Sequence, residues 1–562
     1  MNRRYFWQMT AAALAVGRLS TPSLASARGK PTGPWGSGEY TGDLALTNAS
    51  IWTMDPARPR ARALLVRNGR IALIGSDAEV RAAARRAPHI DAAGRSVVPG
   101  FIDSHTHMET ASEFYGSLHL DVHVPPMQSL QQLFDAIRKR ASETKEGRWI
   151  IARSSYGFDA GVQERRFPTR LELDSISSTH PIVILAGLHC GMLNTLAFQR
   201  LGLWTADDVA RLRWKDGRRR IGTDVARDSN GLPTGVVTEM FDLLPSTAYT
   251  HEERRSAIRT QATRQFVSKG ITSVLTMPFN SDDLVADQEL QREGDLPLRL
   301  RIYHIVPQLV SLDSLRDCGM VAGQGDDLYR FGGIKLFVAG AGQNAYGKVL
   351  SDMKWTQEEL NDTLYRAQCA GFQVLMHEEG HESFELALNA AENAQRLTPR
   401  ALRHRLEHYA ELESVEEMAR VRRAGMRVTI TSLFDRGVRY DDYRPRYATL
   451  IREGLEPVAI SDATGTMPTF GPLLGIASMV APESEGGTAP RGEAPGLEDA
   501  FRMWTSWAAS GQFEEQDKGS IAVGKLGDFA VLSGDLDKQV GGALFDLRVD
   551  ATILGGKTVY QR

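Results

Sequence analysis

Six side chains have the types and spacing to build one site: His105, His107, Lys335, His377, His408 and Asp462. The densest signal is Val97-Val98-Pro99-Gly100-Phe101-Ile102-Asp103-Ser104-His105-Thr106-His107, a short apolar run leading into two histidines one residue apart. Side chains of a strand alternate faces, so His105 and His107 project to the same side. Two imidazoles at the end of a buried strand offer a divalent metal two nitrogen ligands. Taken alone, a chance His-x-His pair on a surface strand reads the same way. The rest of the chain has to supply the missing ligands.

The other four also stand at the ends of apolar runs. Lys335 ends Phe331-Gly-Gly-Ile334, His377 follows Phe372–Met376, His408 follows Arg405-Leu-Glu407, and Asp462 follows Val458-Ala-Ile-Ser461. A lone histidine is usually a satisfied polar residue, and a lone strand-end aspartate is often a helix cap. Six such positions in strand order instead suit a barrel, where side chains at the C-terminal strand ends converge over the mouth.

The elements that must position them read as follows. From about residue 99 to 508, apolar runs of strand length alternate with helical stretches at Leu130–Ser142, Glu252–Ser268, Thr356–Ala370, Glu382–Arg396 and Ser414–Ala424. This rhythm fits an α/β fold, a (β/α)8 TIM-like barrel with insertions, better than a doubly wound sheet. No Gly-x-Gly-x-x-Gly or P-loop follows any run, so nucleotide binding has no support. Residues 43–98 alternate short β-type runs with turns, including the hairpin signal Asn68-Gly69, and residues 517–562 do the same. The two ends are expected to form one small discontinuous β-sandwich domain around a hydrolase barrel at 99–516.

The pattern Pro99–His107, Lys335-Leu336-Phe337, His377, Glu407-His408 and Ser461-Asp462, closed by Gly519-Ser520-Ile521-Ala522-Val523-Gly524-Lys525-Leu526-Gly527-Asp528, resembles the metal-dependent amidohydrolases of the YtcJ-like (amidohydrolase 3) branch. The resemblance spans nearly the whole chain after the signal-like residues 1–27. It implies that His105 and His107 hold the more buried of one or two divalent metals, zinc foremost. It further implies that Lys335 is carboxylated and bridges two metals, that His377 and His408 hold the second, and that Asp462 binds metal and is the catalytic proton shuttle. The chemistry agrees, since burial beside a dication frees a neutral lysine amine to take up carbon dioxide, giving an anionic oxygen donor. Dications lower the pKa of a bound water and polarise a carbonyl. The family often has an acidic residue before glycine in the loop after Lys335, where this chain has Ala339-Gly340. His189 and Asn194, in His189-Cys-Gly-Met-Leu-Asn194, and Glu239 resemble substrate-pocket positions, and a hydrogen-bonded loop is the alternative for each. Aromatic side chains at Tyr156, Phe158 and Tyr346 are pocket candidates.

One motif competes. His377-Glu378-Glu379-Gly380-His381 satisfies His-Glu-x-x-His of zinc peptidases, which works only on a helix. A strand leads into it, Gly380 disfavours a helix, and the reading leaves His105 and His107 unexplained. His381 and His404 are then ordinary polar residues near the site.

The expected activity is hydrolysis of a C–N bond in an amide, N-acyl or N-formyl group. The alternatives are a lactone, carbamate or cyclic imide on the same fold, and a binding protein that lost catalysis. The presence of all six site residues, the base included, speaks against that loss. The partner is a small-molecule substrate, and a homo-oligomer is compatible with the sequence. A net charge of −3 over 562 residues gives no electrostatic footprint for nucleic acid. No run is long and apolar enough for stable membrane insertion. Three widely spaced cysteines offer neither a disulfide framework nor a metal knuckle, so any metal is held by nitrogen and oxygen. Residues 1–27 resemble a twin-arginine (Tat) signal peptide: Arg3-Arg4 come first, Ala11–Val16 is weakly apolar, and Ala25-Ser26-Ala27 offers a cleavage site. A Gly/Pro-rich linker, 28–42, follows, and the expected location is periplasmic or secreted.

Overall fold

Eight short runs of mostly β-branched and apolar residues pair in parallel: β1 (Phe101–Thr106), β2 (Ile271–Thr276), β3 (Arg299–Ile305), β4 (Tyr329–Phe337), β5 (Gln373–His377), β6 (Arg405–Glu407), β7 (Arg427–Thr431) and β8 (Val458–Ile460). The computed structural model describes residues 40–562 except 115–117, 125, 155–157, 188–189, 245–248, 340–352, 379, 409–411, 413, 432, 434–444 and 464–468. The strands follow one another around the sheet in chain order, the expected TIM-like α/β barrel. The sheet closes where β1 meets the chain just after β8. Thr106 bridges Ala463, the Asp462 N–H donates to the His105 carbonyl at 3.0 Å, and the His107 N–H donates to the Ala463 carbonyl at 2.5 Å.

Helices cover the outer face. Gln357–Cys369 and Val415–Arg423 start on capping boxes at Thr356 and Ser414, and each buries an apolar stripe against the strands. The helix expected over 252–268 is regular only from His251 to Gln261. It then widens into a π turn at Ala262–Phe266.

The two chain ends share a second core. Val97 and Val98 of strand Ser96–Pro99 pair antiparallel with Val531 and Ala530, and the resulting six-stranded sheet packs on a four-stranded one through Leu46, Ile51, Val66, Phe529 and Ile553. The Asn68-Gly69 hairpin forms with both residues at positive φ, 48° and 77°, as a type I′ turn requires.

A long insertion of the kind expected in the barrel separates β1 from β2. The strand–helix rhythm between β1 and β2 is not barrel. Strands Leu120–Asp121, Ile150–Ser154, Ile182–Ala186, Cys190–Leu193, Val225–Arg227 and Pro233–Thr238 form a separate mixed sheet. Local periodicity is the same for strands of either sheet, and only pairing separates them. Phe158 lies in the core of this insertion, parallel to Phe167 at 6.3 Å. Tyr156 and Tyr346 lie outside the described residues.

The closing signature is tied to the barrel by a buried fork. Arg299 of β3 donates to Asp528 through Nε at 2.6 Å and Nη2 at 2.8 Å, and the Gly555 N–H donates to the same carboxylate at 2.7 Å. Replacing Asp528 by Asn strands a buried guanidinium, and we expect a loss of about 3–5 kcal/mol in unfolding free energy, read by denaturant titration. An unchanged midpoint would show that the fork contributes nothing to the joint.

Candidate functional site

The six residues read from the sequence come together at one mouth. His105 and Lys335 lie near the ends of β1 and β4, and His377 is the last residue of β5. His107 and His408 follow directly on β1 and β6, and Asp462 stands two residues past β8. All six are buried. The ligand atoms of His105, His408 and Asp462 lie within 4.8 Å of one another. Asp462 Oδ1 is 3.4 Å from His105 Nε2 and 3.5 Å from His107 Nε2. Lys335 Nζ is 3.4 Å from His105 Nε2, and the His408 ring lies 4.6 Å from that of His105 and 4.8 Å from that of His377.

Neighbouring groups set which nitrogen faces the centre. His105 Nδ1 donates to Glu407 Oε2 at 2.5 Å. That carboxylate also accepts from Arg405 at 2.7 and 3.0 Å and from Thr429 at 3.1 Å. His107 Nδ1 faces the Met277 carbonyl at 3.3 Å, and a carbonyl only accepts, so this nitrogen carries the proton. Both Nε2 atoms are then the lone-pair donors turned toward Asp462. The His107 ring also stacks on Phe279 at 4.4 Å and 19°.

Burial sets the protonation of the cluster. It pushes the His105 and His408 imidazoles well below their ordinary range, with the Lys335 charge adding to the effect. It lowers the Lys335 amine and raises the Asp462 carboxyl, although the two attract each other. Neutral imidazoles, a lysine biased toward its free amine and a carboxylate form the donor set of a nitrogen/oxygen site for a divalent metal. By chemistry, burial and convergence, the residues fit one.

Backbone strain marks the same place. His408 and Asp462 take φ of 78° and 52°, values that non-glycine residues rarely adopt. Asp462 is held there by the seam to β1, where the neighbouring Ser461 N–H also donates to Asp103 at 3.1 Å. His408 is held by its own N–H to Thr429 Oγ1 at 3.1 Å.

The substrate-pocket positions fare differently. Asn194 caps the helix Thr195–Leu201, accepting from Ile182 and Ala197 N–H and donating to the Ser177 and His180 carbonyls. All four of its hydrogen-bonding positions are used within the insertion, so it has none left for a substrate. Glu239 is buried and paired with Lys354, a residue the sequence reading did not single out. His189 lies outside the described residues. The zinc-peptidase geometry is absent: His377 is in a strand and His381 opens a helix after Gly380 at φ 95°. His404 accepts from the Val374 N–H and meets Gln368, as a core histidine does. The sequence reading quoted Arg405 and Glu407 in the run before His408 but gave neither a role. Their only signal was a charged residue inside a buried strand.

Residues 89–560 match the Amidohydrolase family. The chain belongs to this family. It is an amidohydrolase, a metal-dependent hydrolase acting on carbon–nitrogen bonds. It is 27% identical over 551 residues to the N-substituted formamide deformylase of Arthrobacter pascens, covering 92% of this chain and 98% of that one. It is 24% identical over 554 residues to the YtcJ protein of Bacillus subtilis (strain 168), covering 91% of this chain and 98% of that one. An uncharacterized metal-dependent hydrolase from Pyrococcus horikoshii OT3 shares the fold, with a TM-score of 0.67 and 20% identity over 88% of this chain and 98% of that one.

Glu407 supplies the test of this architecture. Glu407→Gln keeps the shape but weakens the orientation of His105, and we expect metal affinity to fall about 10- to 100-fold by competition with a chromophoric chelator. Affinity equal to wild type would remove Glu407 from the site.

Proposed function

We propose that this amidohydrolase cleaves an N-acyl amide, an N-formyl group first, to a carboxylate and an amine. The observation that carries the reading is the convergence of His105, His107, Lys335, His377, His408 and Asp462 at one mouth. The likeness of nearly the whole chain to an N-substituted formamide deformylase supports the choice of bond.

His105 and His107 would hold one divalent metal, zinc foremost. His377 and His408 would hold a second, and a carboxylated Lys335 would supply anionic oxygen donors. Such a centre, when bound, supplies a water of lowered pKa and polarises the carbonyl. Asp462 takes the proton from the attacking water as the new C–O bond forms. It passes that proton to nitrogen as the C–N bond breaks, so the amine leaves neutral. Burial raises the Asp462 carboxyl toward the range in which it can both accept and return a proton. Glu407 holds His105 still, and Phe279 and Phe337, packed on His107 and His377, form an apolar wall beside the reacting carbonyl. The reading includes export by the twin-arginine route, on the strength of Arg3-Arg4 and Ala25-Ser26-Ala27. Among the described residues no helix is long and apolar enough to cross a membrane.

Dialysis against a chelator should abolish release of formate from an N-substituted formamide, and zinc or manganese should restore it. Turnover indifferent to chelation, or hydrolysis confined to lactones, carbamates or cyclic imides, would overturn the reading. Asp462→Asn should lower kcat about 100- to 10,000-fold, and full rate in that variant would remove the proton shuttle. For export, Arg3→Lys with Arg4→Lys should leave the protein in the cytoplasmic fraction of a host with that route, where wild type reaches the periplasm.

A further inference from the structure

A buried ion pair stands beside the six-residue cluster, and the chemistry above does not use it. Lys354 Nζ lies 2.5 Å from Glu239 Oε2, with side chains 2% and 1% exposed. The two arrive from different parts of the fold. Lys354 is fastened to the end of β4, the strand that carries Lys335. Its N–H donates to the Val338 carbonyl at 3.0 Å, and the indole of Trp355 donates to the Phe337 carbonyl at 2.8 Å. Glu239 comes from the insertion, just past strand Pro233–Thr238, and is set at φ 50°. Its carbonyl accepts from Arg220 at 2.6 Å and Thr223 at 2.8 Å, and Arg220 is itself forked onto Asp242. A second contact between the same two parts places the Arg218 guanidinium over the Trp355 ring at 4.0 Å.

The pair is one aromatic ring away from the cluster. The Phe337 ring centroid is 5.0 Å from Lys354 Nζ, 5.0 Å from Lys335 Nζ and 5.3 Å from the His377 ring. An ammonium carries three N–H donors. Glu239 accepts from one, and among the described residues no second acceptor lies within hydrogen-bonding distance of Nζ. Glu239 balances the charge but leaves two donors without an acceptor among the described residues, and an unmet donor in a buried place costs free energy until an acceptor arrives.

We propose that Lys354 is a substrate-contacting, specificity-determining residue, donating to a carbonyl-type oxygen in the part of the substrate beyond the scissile bond, with Glu239 as its positioning residue. Because the charges of the pair cancel, a neutral acceptor suits it better than an anion, which would bring an uncompensated charge into a buried site. The inference rests on the amide hydrolysis proposed above. It narrows the substrate class to N-acyl or N-formyl amides whose N-substituent carries such an oxygen about one ring's width from the bond that breaks.

The test uses the metal-loaded enzyme and two formamides of equal length, one with a plain N-alkyl chain and one with a carbonyl in that chain. K354M alone removes the countercharge of the Glu239 carboxylate, so the informative variant is K354M with E239Q, which removes both charges and keeps the shapes. In that variant kcat/KM for the carbonyl-bearing formamide should fall about 10- to 100-fold more than for the plain one. The loss should fall mainly on KM, with metal content at the wild-type level. Equal losses on the two substrates, or wild-type discrimination in the double variant, would show a purely structural pair and overturn the inference. Should the double variant not fold, K354R decides. It keeps the charge and the pairing but moves the donors, so a changed preference between the two substrates supports the contact and an unchanged one overturns it. Wild-type enzyme inert toward both formamides would overturn the proposed function and this inference with it. Wild-type activity with no change of preference overturns the inference alone.

Discussion

The site depends on a seam between β1 and the chain leaving β8. At that seam the Asp462 N–H reaches the His105 carbonyl and the His107 N–H reaches the Ala463 carbonyl. Beside them the Ser461 N–H reaches the carboxylate of Asp103, 358 positions away in the chain. A parallel sheet becomes a barrel only when its first and last strands meet. Here the joining residues are the site residues themselves or their neighbours. The main-chain bonds that close the barrel therefore also bring the Asp462 carboxylate within 3.5 Å of both His105 and His107. They also hold Asp462 at a positive φ that a free chain would abandon.

Around the seam, charge is matched among buried side chains. Glu407, wholly buried, is offset by the equally buried guanidinium of Arg405, whose Nη2 also donates to the Ser104 carbonyl at 2.9 Å. Removing one partner of such a pair leaves a buried charge whose desolvation nothing repays, which makes the arrangement intolerant of single changes. The same burial drives the imidazoles toward their neutral, ligating form and favours the free amine of Lys335. One cause, exclusion of water, thus sets both the rigidity of the site and its readiness for a cation.

The insertion between β1 and β2 extends this logic from the metal residues to the wall beside them. The barrel's parallel strands fix the six converging side chains, but Glu239 comes from a separate mixed sheet and pairs directly with Lys354, one Phe337 ring away from them. Loops and insertions at strand ends are where this architecture varies specificity without disturbing its core.

By itself the sequence determined the strand-end positions of His105, His107, Lys335, His377, His408 and Asp462, because an apolar run ending in a polar residue is a local pattern. It likewise determined the Asn68-Gly69 hairpin, whose backbone only a few residue types tolerate, and the capped helices at Thr356 and Ser414. Tertiary structure alone decided that the strands from Leu120 to Thr238 leave the barrel, since period and composition do not encode which strand pairs with which. It also decided that Asn194 is used up as a helix cap, that Phe158 is core, and that Glu407 orients His105. The pairing of Lys354 with Glu239 belongs to the same group. In each case the role of a polar or aromatic side chain is set by a partner distant in sequence, and burial, which makes that partner necessary, is a property of the folded chain.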